Sequence, residues 1–187
     1  MLNFLKILKK LYLPAGLIFV SCAFTAAYFS DEVAVGNNIF STGVWSEPLI
    51  NEVFSHPDAS KGEKEWIELL NTRPQALALT GYTIEDGTGA QKNLSSYSIP
   101  ANGYLVLEKG VDFSFGLNDS GDIVILRKSG SIVDKVTYGD WNDGDLSDNA
   151  PAPAMSQSIG RTPDGRDTNN DSADFQIKIV PTPGGPN

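Results

Sequence analysis

From Pro48 onward, apolar and polar residues alternate with period two in short runs cut by turn-formers, which constrains this part of the chain to a β fold. LINEVFS (49–55), EWIELLN (65–71), ALALTGYTIED (76–86), GYLVLEK (103–109), GDIVILRK (121–128) and SIVDKVTYG (131–139) each read as a strand. SQSIGR (156–161) and DFQIKIV (174–180) read as the last two. HPDASKGEK, DGTGAQKN, LNDSGD and KSGS lie between the runs and read as turns. No run has a helical period, and short strands at even spacing close most naturally as a β-sandwich of two packed sheets. IVIL (123–126) is apolar at four successive positions, so that strand is expected to be covered on both faces. PTPGGPN (181–187) cannot continue a strand.

The strand reading decides the meaning of the sequence EWIE. Successive side chains of a strand point to opposite faces. Glu65, Ile67 and Leu69 then share one face, and Trp66, Glu68 and Leu70 share the other. Glu65 and Glu68 therefore point apart and cannot act together on one bond. A run bounded by GEK and NTRP is too short for a stable helix, in which the two would be neighbours. Trp66 is expected in the core, and Glu68, half-buried, is expected to accept hydrogen bonds from a turn.

Composition narrows the function. The formal charge is −9; Lys6, Lys9 and Lys10 precede the first acid, Asp31, and without these three the charge is −12. Such a body repels nucleic-acid phosphates, so DNA or RNA is not an expected partner. The single cysteine, Cys22, excludes an internal disulfide. His56, the lone histidine, lies in a turn with no serine nucleophile motif to serve. G-x-S-x-G, Walker, H-E-x-x-H and C-x-x-C patterns are absent. The chain therefore reads as a non-enzyme. Asn93, Asn118 and Asn170 begin N-x-S triplets, which arise often by chance.

The first residues read as an address. MLNFLKILKK is basic, residues 11–29 are uncharged and mostly apolar, and Asp31 and Glu32 follow. That is the order of an export signal, with a cut expected after Ala26 or Ala27. Two alternatives stay open: an uncleaved membrane anchor, and a lipoprotein in which IFVSC (18–22) presents Cys22 for lipidation. All three place the body outside the cytoplasm. The expected organisation is a signal or anchor over 1–27, a linker over 28–47 and a β-sandwich domain over 48–187. Tyr28, Phe29, Ser30, Asp31, Gly36, Asn37, Asn38, Phe40, Thr42 and Gly43 follow an aromatic–small–Asp, Gly-Asn, Thr-Gly order. In this stretch of about 20 residues the chain resembles the signal and early mature region of camelysin-type bacterial surface and biofilm-fibre proteins. The likeness implies export by a dedicated signal peptidase.

A second resemblance covers the body. LINEV (49–53), EWIELLN (65–71), LTGYTIEDG (79–87), IPANGYLVL (99–107), LNDSGDIVIL (117–126) and VDKVTYG (133–139) occur in the order of the lamin tail domain in its bacterial secreted form. SIGRTPDG (158–165), DTNNDSADF (167–175) and TPGGPN (182–187) continue it. The chain resembles that family from about residue 48 to 187. The resemblance implies an immunoglobulin-like β-sandwich that binds and scaffolds and brings no catalytic residues. Nuclear members contact proteins and DNA, but the acidic charge here speaks against DNA. No coiled coil accompanies it.

The acidic loops after residue 139 are the sharpest lead to a ligand. GDWNDGDLSDN (139–149) and PDGRDTNNDSADF (163–175) carry eight aspartates against Arg161 and Arg166. Asp167, Asn169, Asp171 and Asp174 offer hard oxygens, the first three at the alternate spacing of Ca²⁺ loops, without the glycine and the glutamate that complete such loops. The competing reading has them cap turns and pair with Arg161 or Arg166. Trp141, in a polar loop, is a candidate contact residue, or else folds back over the end of the sandwich. The sequence thus points to an exported or surface-tethered binding module for a protein or cell-surface polymer. A surface-fibre subunit and a Ca²⁺-stabilised adhesion domain are the alternatives.

Overall fold

The computed structural model describes residues 47–187. Its strands are β1 (Leu49–Phe54), β2 (Trp66–Asn71), β3 (Leu77–Ala78), β4 (Tyr82–Glu85), β5 (Gln91–Asn93), β6 (Ser98–Ile99), β7 (Gly103–Glu108), β8 (Gly121–Lys128), β9 (Ser131–Gly139), β10 (Ser158–Arg161) and β11 (Phe175–Lys178). One sheet has the order β11-β10-β1-β2-β7, the second β5-β4-β8-β9, and β3 pairs with β6 in a short ribbon. All pairings within these sheets are antiparallel. The two sheets face each other across one apolar core. Ile50, Val53, Ile67, Leu69, Leu107 and Ile159 meet Ile84, Val124, Leu126, Val136 and Tyr138 there, and Leu79, Leu94 and Ile99 close the ribbon end.

The strand pattern holds with four departures, of which one is β6, a two-residue strand outside every predicted run. The run 76–86 is two strands rather than one, because Gly81 at φ +81° turns the chain between β3 and β4. The stretch DGTGAQKN contains β5, an exposed strand too polar to announce itself. The segment before the last strand holds one helical turn, Asp171–Asp174, capped by the Asn170 side chain on Ala173 N–H at 3.0 Å. Within β8, Ile123, Val124 and Leu126 are buried and Ile125 is half-buried, as the apolar IVIL run requires.

Period two fails at one place that matters. β1 and β2 pair as Ile50↔Leu69 and then Glu52↔Glu68, so Asn51 is an extra, bulged residue. The bulge lets Ile50 and Val53 both face the core while Asn51 and Glu52 both meet the carboxyl of Glu68 and the loops above it. EWIE divides as a strand must. Glu65 accepts from Lys109 Nζ at 2.7 Å and Leu117 N–H at 2.7 Å. Glu68 accepts from Asn51 Nδ2 at 3.1 Å and Gly184 N–H at 2.6 Å. The two carboxylates serve different surroundings. Trp66 is buried, but outside the inter-sheet core: it stacks on Phe54 across the strand pair, ring centroids 5.5 Å apart.

Candidate functional site

Two polar constellations stand out, one inside the sandwich end and one on the outer face of the five-stranded sheet. The first is built on Arg161, the last residue of β10, whose side chain is only 1% exposed. Alternation along β10 sends Ser158 and Gly160 outward and Ile159 and Arg161 inward. The guanidinium Nη2 donates to both oxygens of Asp134 on β9, at 3.0 and 3.1 Å, so the pair joins the two sheets. Nε donates to Ile50 C=O at 2.8 Å, and Ile50 N–H donates to Asp134 Oδ2 at 2.7 Å. Both backbone groups of the residue before the bulge are thereby satisfied by the ion pair. Nη1 donates to Arg166 C=O at 2.6 Å and lies 3.4 Å from Asp174 and 3.6 Å from Asp167. The Phe175 ring covers the guanidinium at 4.6 Å.

This arrangement places the four residues of the expected Ca²⁺ loop. Asp174 accepts from Thr168 N–H at 2.6 Å, Thr168 Oγ1 at 2.9 Å and Arg166 Nε at 3.1 Å, as well as facing Arg161. Asp167 accepts from Asn169 N–H at 3.1 Å, and Asn169 takes the left-handed conformation, φ +56°. Asp171 accepts from Thr137 N–H at 2.8 Å. Asp167, Asn169 and Asp171 line a hollow of about 250 Å³ with Ile132, Asp134, Lys135 and Asp148, whereas Asp174 is turned away into the arginine network. Among the described residues no three acidic, histidine or cysteine side chains are grouped to hold a metal ion. Burial raises the Asp171 carboxyl to about 7, opposed by Thr137 N–H and Arg161 and helped by the charge of Asp134. Burial also raises Asp134 to about 6, opposed by the charge of Arg161 and by Ile50 N–H.

The second constellation is one that the sequence does not single out as a site. Glu52 and Glu68, cross-strand partners, are both 0% exposed on the outer face of β1 and β2. Ser158 Oγ and Thr182 Oγ1 donate to Glu52, and Asn51 and Gly184 donate to Glu68. Asp164 beside them accepts from Tyr104 O–H at 2.6 Å. Burial raises Glu68 to about 7, with Glu52 and Asp164 adding like charge. Next to this track the stacked Phe54 and Trp66, with Val106, floor an open groove of about 520 Å³. Its walls are Glu63, Lys64, Glu108, Ser156, Pro181 and Pro183. The sequence carries half the signal, since Trp66 and Glu68 share a face by alternation. Asn51 and Glu52 escape it because the bulge breaks the count.

Trp141 is half-buried and its indole packs against Gly87, where a Cβ would run into the ring. His56 lies 3.4 Å from Asp119 and 3.4 Å from Pro153 C=O. Ala26, Ala27 and Cys22, proposed for cleavage and lipidation, and the camelysin-like stretch lie outside the described residues. Among the described residues no helix is long and apolar enough to cross a membrane.

No curated protein and no solved structure matches the chain. The family model of the lamin tail domain matches residues 45–140, which run from just before β1 through the end of β9. The sandwich is of the immunoglobulin-like kind the family implies, and β10 and β11 complete its larger sheet from beyond the matched segment. The chain belongs to the lamin tail domain family.

Proposed function

We propose that this protein is a non-catalytic binding and scaffolding module, exported and either released or tethered at the cell surface, that engages a protein or a cell-surface polymer. The outer-face groove carries the reading. It combines a stacked aromatic floor, an aliphatic residue and two prolines with a charged rim, which suits contact with a partner surface. The ionisable groups of the two constellations are engaged in holding loops and strands: Arg161, Glu52, Glu68 and Asp174 each bond to backbone or side-chain groups of the chain itself. The order of basic, apolar and acidic residues over 1–32 supports export. The net charge of −9 favours a neutral or basic partner over nucleic acid.

The test is binding of the full chain to intact cells of its own source. Saturable surface binding that is weakened at least tenfold by Val106→Asp, set in the groove floor, is expected. A chain that adheres nowhere, or whose binding is unchanged by this substitution, contradicts the reading. A fibre subunit is the second reading. It draws on β11, an end strand of its sheet that runs into the exposed Ile179 and Val180. Electron microscopy of the concentrated chain decides it: filaments support assembly, and dispersed particles remove it.

A further inference from the structure

Residues 181–187 lie along the carboxylate track as a bound peptide does. Their sequence is PTPGGPN, so only Thr182, Gly184, Gly185 and Asn187 own a backbone N–H. Every one of these is used. Thr182 N–H donates to Glu52 at 3.1 Å, Gly184 N–H to Glu68 at 2.6 Å and Asn187 N–H to Asp164 at 3.0 Å, while Gly185 N–H closes a turn onto Thr182 C=O at 3.0 Å. Two of the three acceptors, Glu52 and Glu68, are fully buried, and a buried carboxylate is destabilising unless it is hydrogen-bonded. Asn187 adds a side-chain bond to Asn51 C=O at 3.1 Å and seats its amide over Gly160, where a Cβ would collide with it. The sheet is thus shaped, residue by residue, for this one segment.

The tether to the segment is built differently. Ile179 and Val180 connect β11 to it with 77% and 74% of their surfaces in water. The bound part is fully satisfied, and its connector is apolar and unpacked. We propose that the track is an intermolecular site whose occupant is the 181–187 segment of a second copy, so that two chains pair by exchanging these segments. The contacts within one chain and between two are identical, so the exchange loses none of them. The connectors of an exchanged pair run beside each other, where Ile179 and Val180 leave water. Within one chain the segment has a high effective concentration, so exchange shows only as protein concentration rises. The inference rests on the binding-module reading, because residues 181 and 183 also wall the groove and exchange would join two grooves into one surface.

Sedimentation of the full chain in mild detergent tests it, from micromolar to near-millimolar protein. A monomer–dimer equilibrium is expected. Excess free peptide of sequence PTPGGPN should reduce the dimer fraction by more than half. A chain lacking residues 181–187 should remain monomeric, and if that variant does not fold, the peptide competition on the intact chain decides alone. A monomer at every concentration overturns the exchange, as does a dimer indifferent to the peptide. Surface binding by a strictly monomeric chain sinks the exchange and leaves the proposed function standing. A peptide-sensitive dimer that binds no surface does the reverse.

Discussion

Arg161 is a permanent charge in a place almost closed to water, and three aspartates lie within 3.6 Å of it. Removing the cation strands Asp134 and Asp174 in low dielectric. Arg161→Met is therefore expected to cost about 3–5 kcal/mol in urea unfolding, although methionine fills much of the space. Arg161→Lys should recover little of this, because an ammonium cannot reach Asp134, Ile50 C=O and Arg166 C=O at once. Asp171 is the complementary case. Burial raises its folded carboxyl to about 7, above the unfolded value, so its contribution is complete below about pH 4 and is lost as pH rises from there to about 7. Asp171→Asn keeps the acceptor for Thr137 N–H and drops the charge. The variant is expected to melt higher than wild type at pH 8, with the gap narrowing steadily towards about pH 4 and closing below it, and the opposite order would refute the burial argument. Asp167 already faces Arg161, and Asp174 faces both Arg161 and Arg166, so millimolar Ca²⁺ and EDTA should leave the melting temperature within about 1 °C of each other. A larger Ca²⁺-dependent rise would place the ion in the acidic hollow.

At the level of elements, the bulge of β1 and the turn after β9 determine where side chains go. The bulge explains why alternation locates the core side of β1 and β2 but not the carboxylate track: one extra residue moves Asn51 into the company of Glu52 and Glu68. β8 and β9 are legible because their apolar runs are long. β5 is not, because Gln91, Lys92 and Asn93 are strand by pairing with β4 alone. The turn after β9 carries Trp141 onto Gly87, which places the indole beside Asp122 as well. Gly87→Ala should displace the ring, red-shift tryptophan emission and cost about 1–2 kcal/mol. In a Trp141→Ala background the same substitution should cost little, and full additivity of the two would show that the ring does not rest there.

Across the molecule, the larger sheet is assembled from distant parts of the chain. β10 pairs with β1, and Arg161 links Ile50 to Asp134 across more than eighty residues of sequence. Such contacts cannot be counted along a sequence, which is why the aspartates after residue 160 read there as turn caps, partners of Arg161 or Arg166, or metal ligands, with nothing to say which strand they meet. What is legible is chemistry of type: an acidic, turn-rich chain without a nucleophile motif, whose EWIE segment divides its two glutamates between opposite faces. What is not legible is the use of buried carboxylates as acceptors for residues 181–187, since a proline–glycine stretch carries no periodicity to place it. The proposed export would place this sandwich outside the cytoplasm. The intact mass of the native protein from cytoplasmic, membrane and medium fractions tests it most directly. Expected is either a mass beginning near Ala27 in the medium, or a full-length or lipid-bearing mass in the membrane. An unmodified full-length chain confined to the cytoplasmic fraction would contradict it.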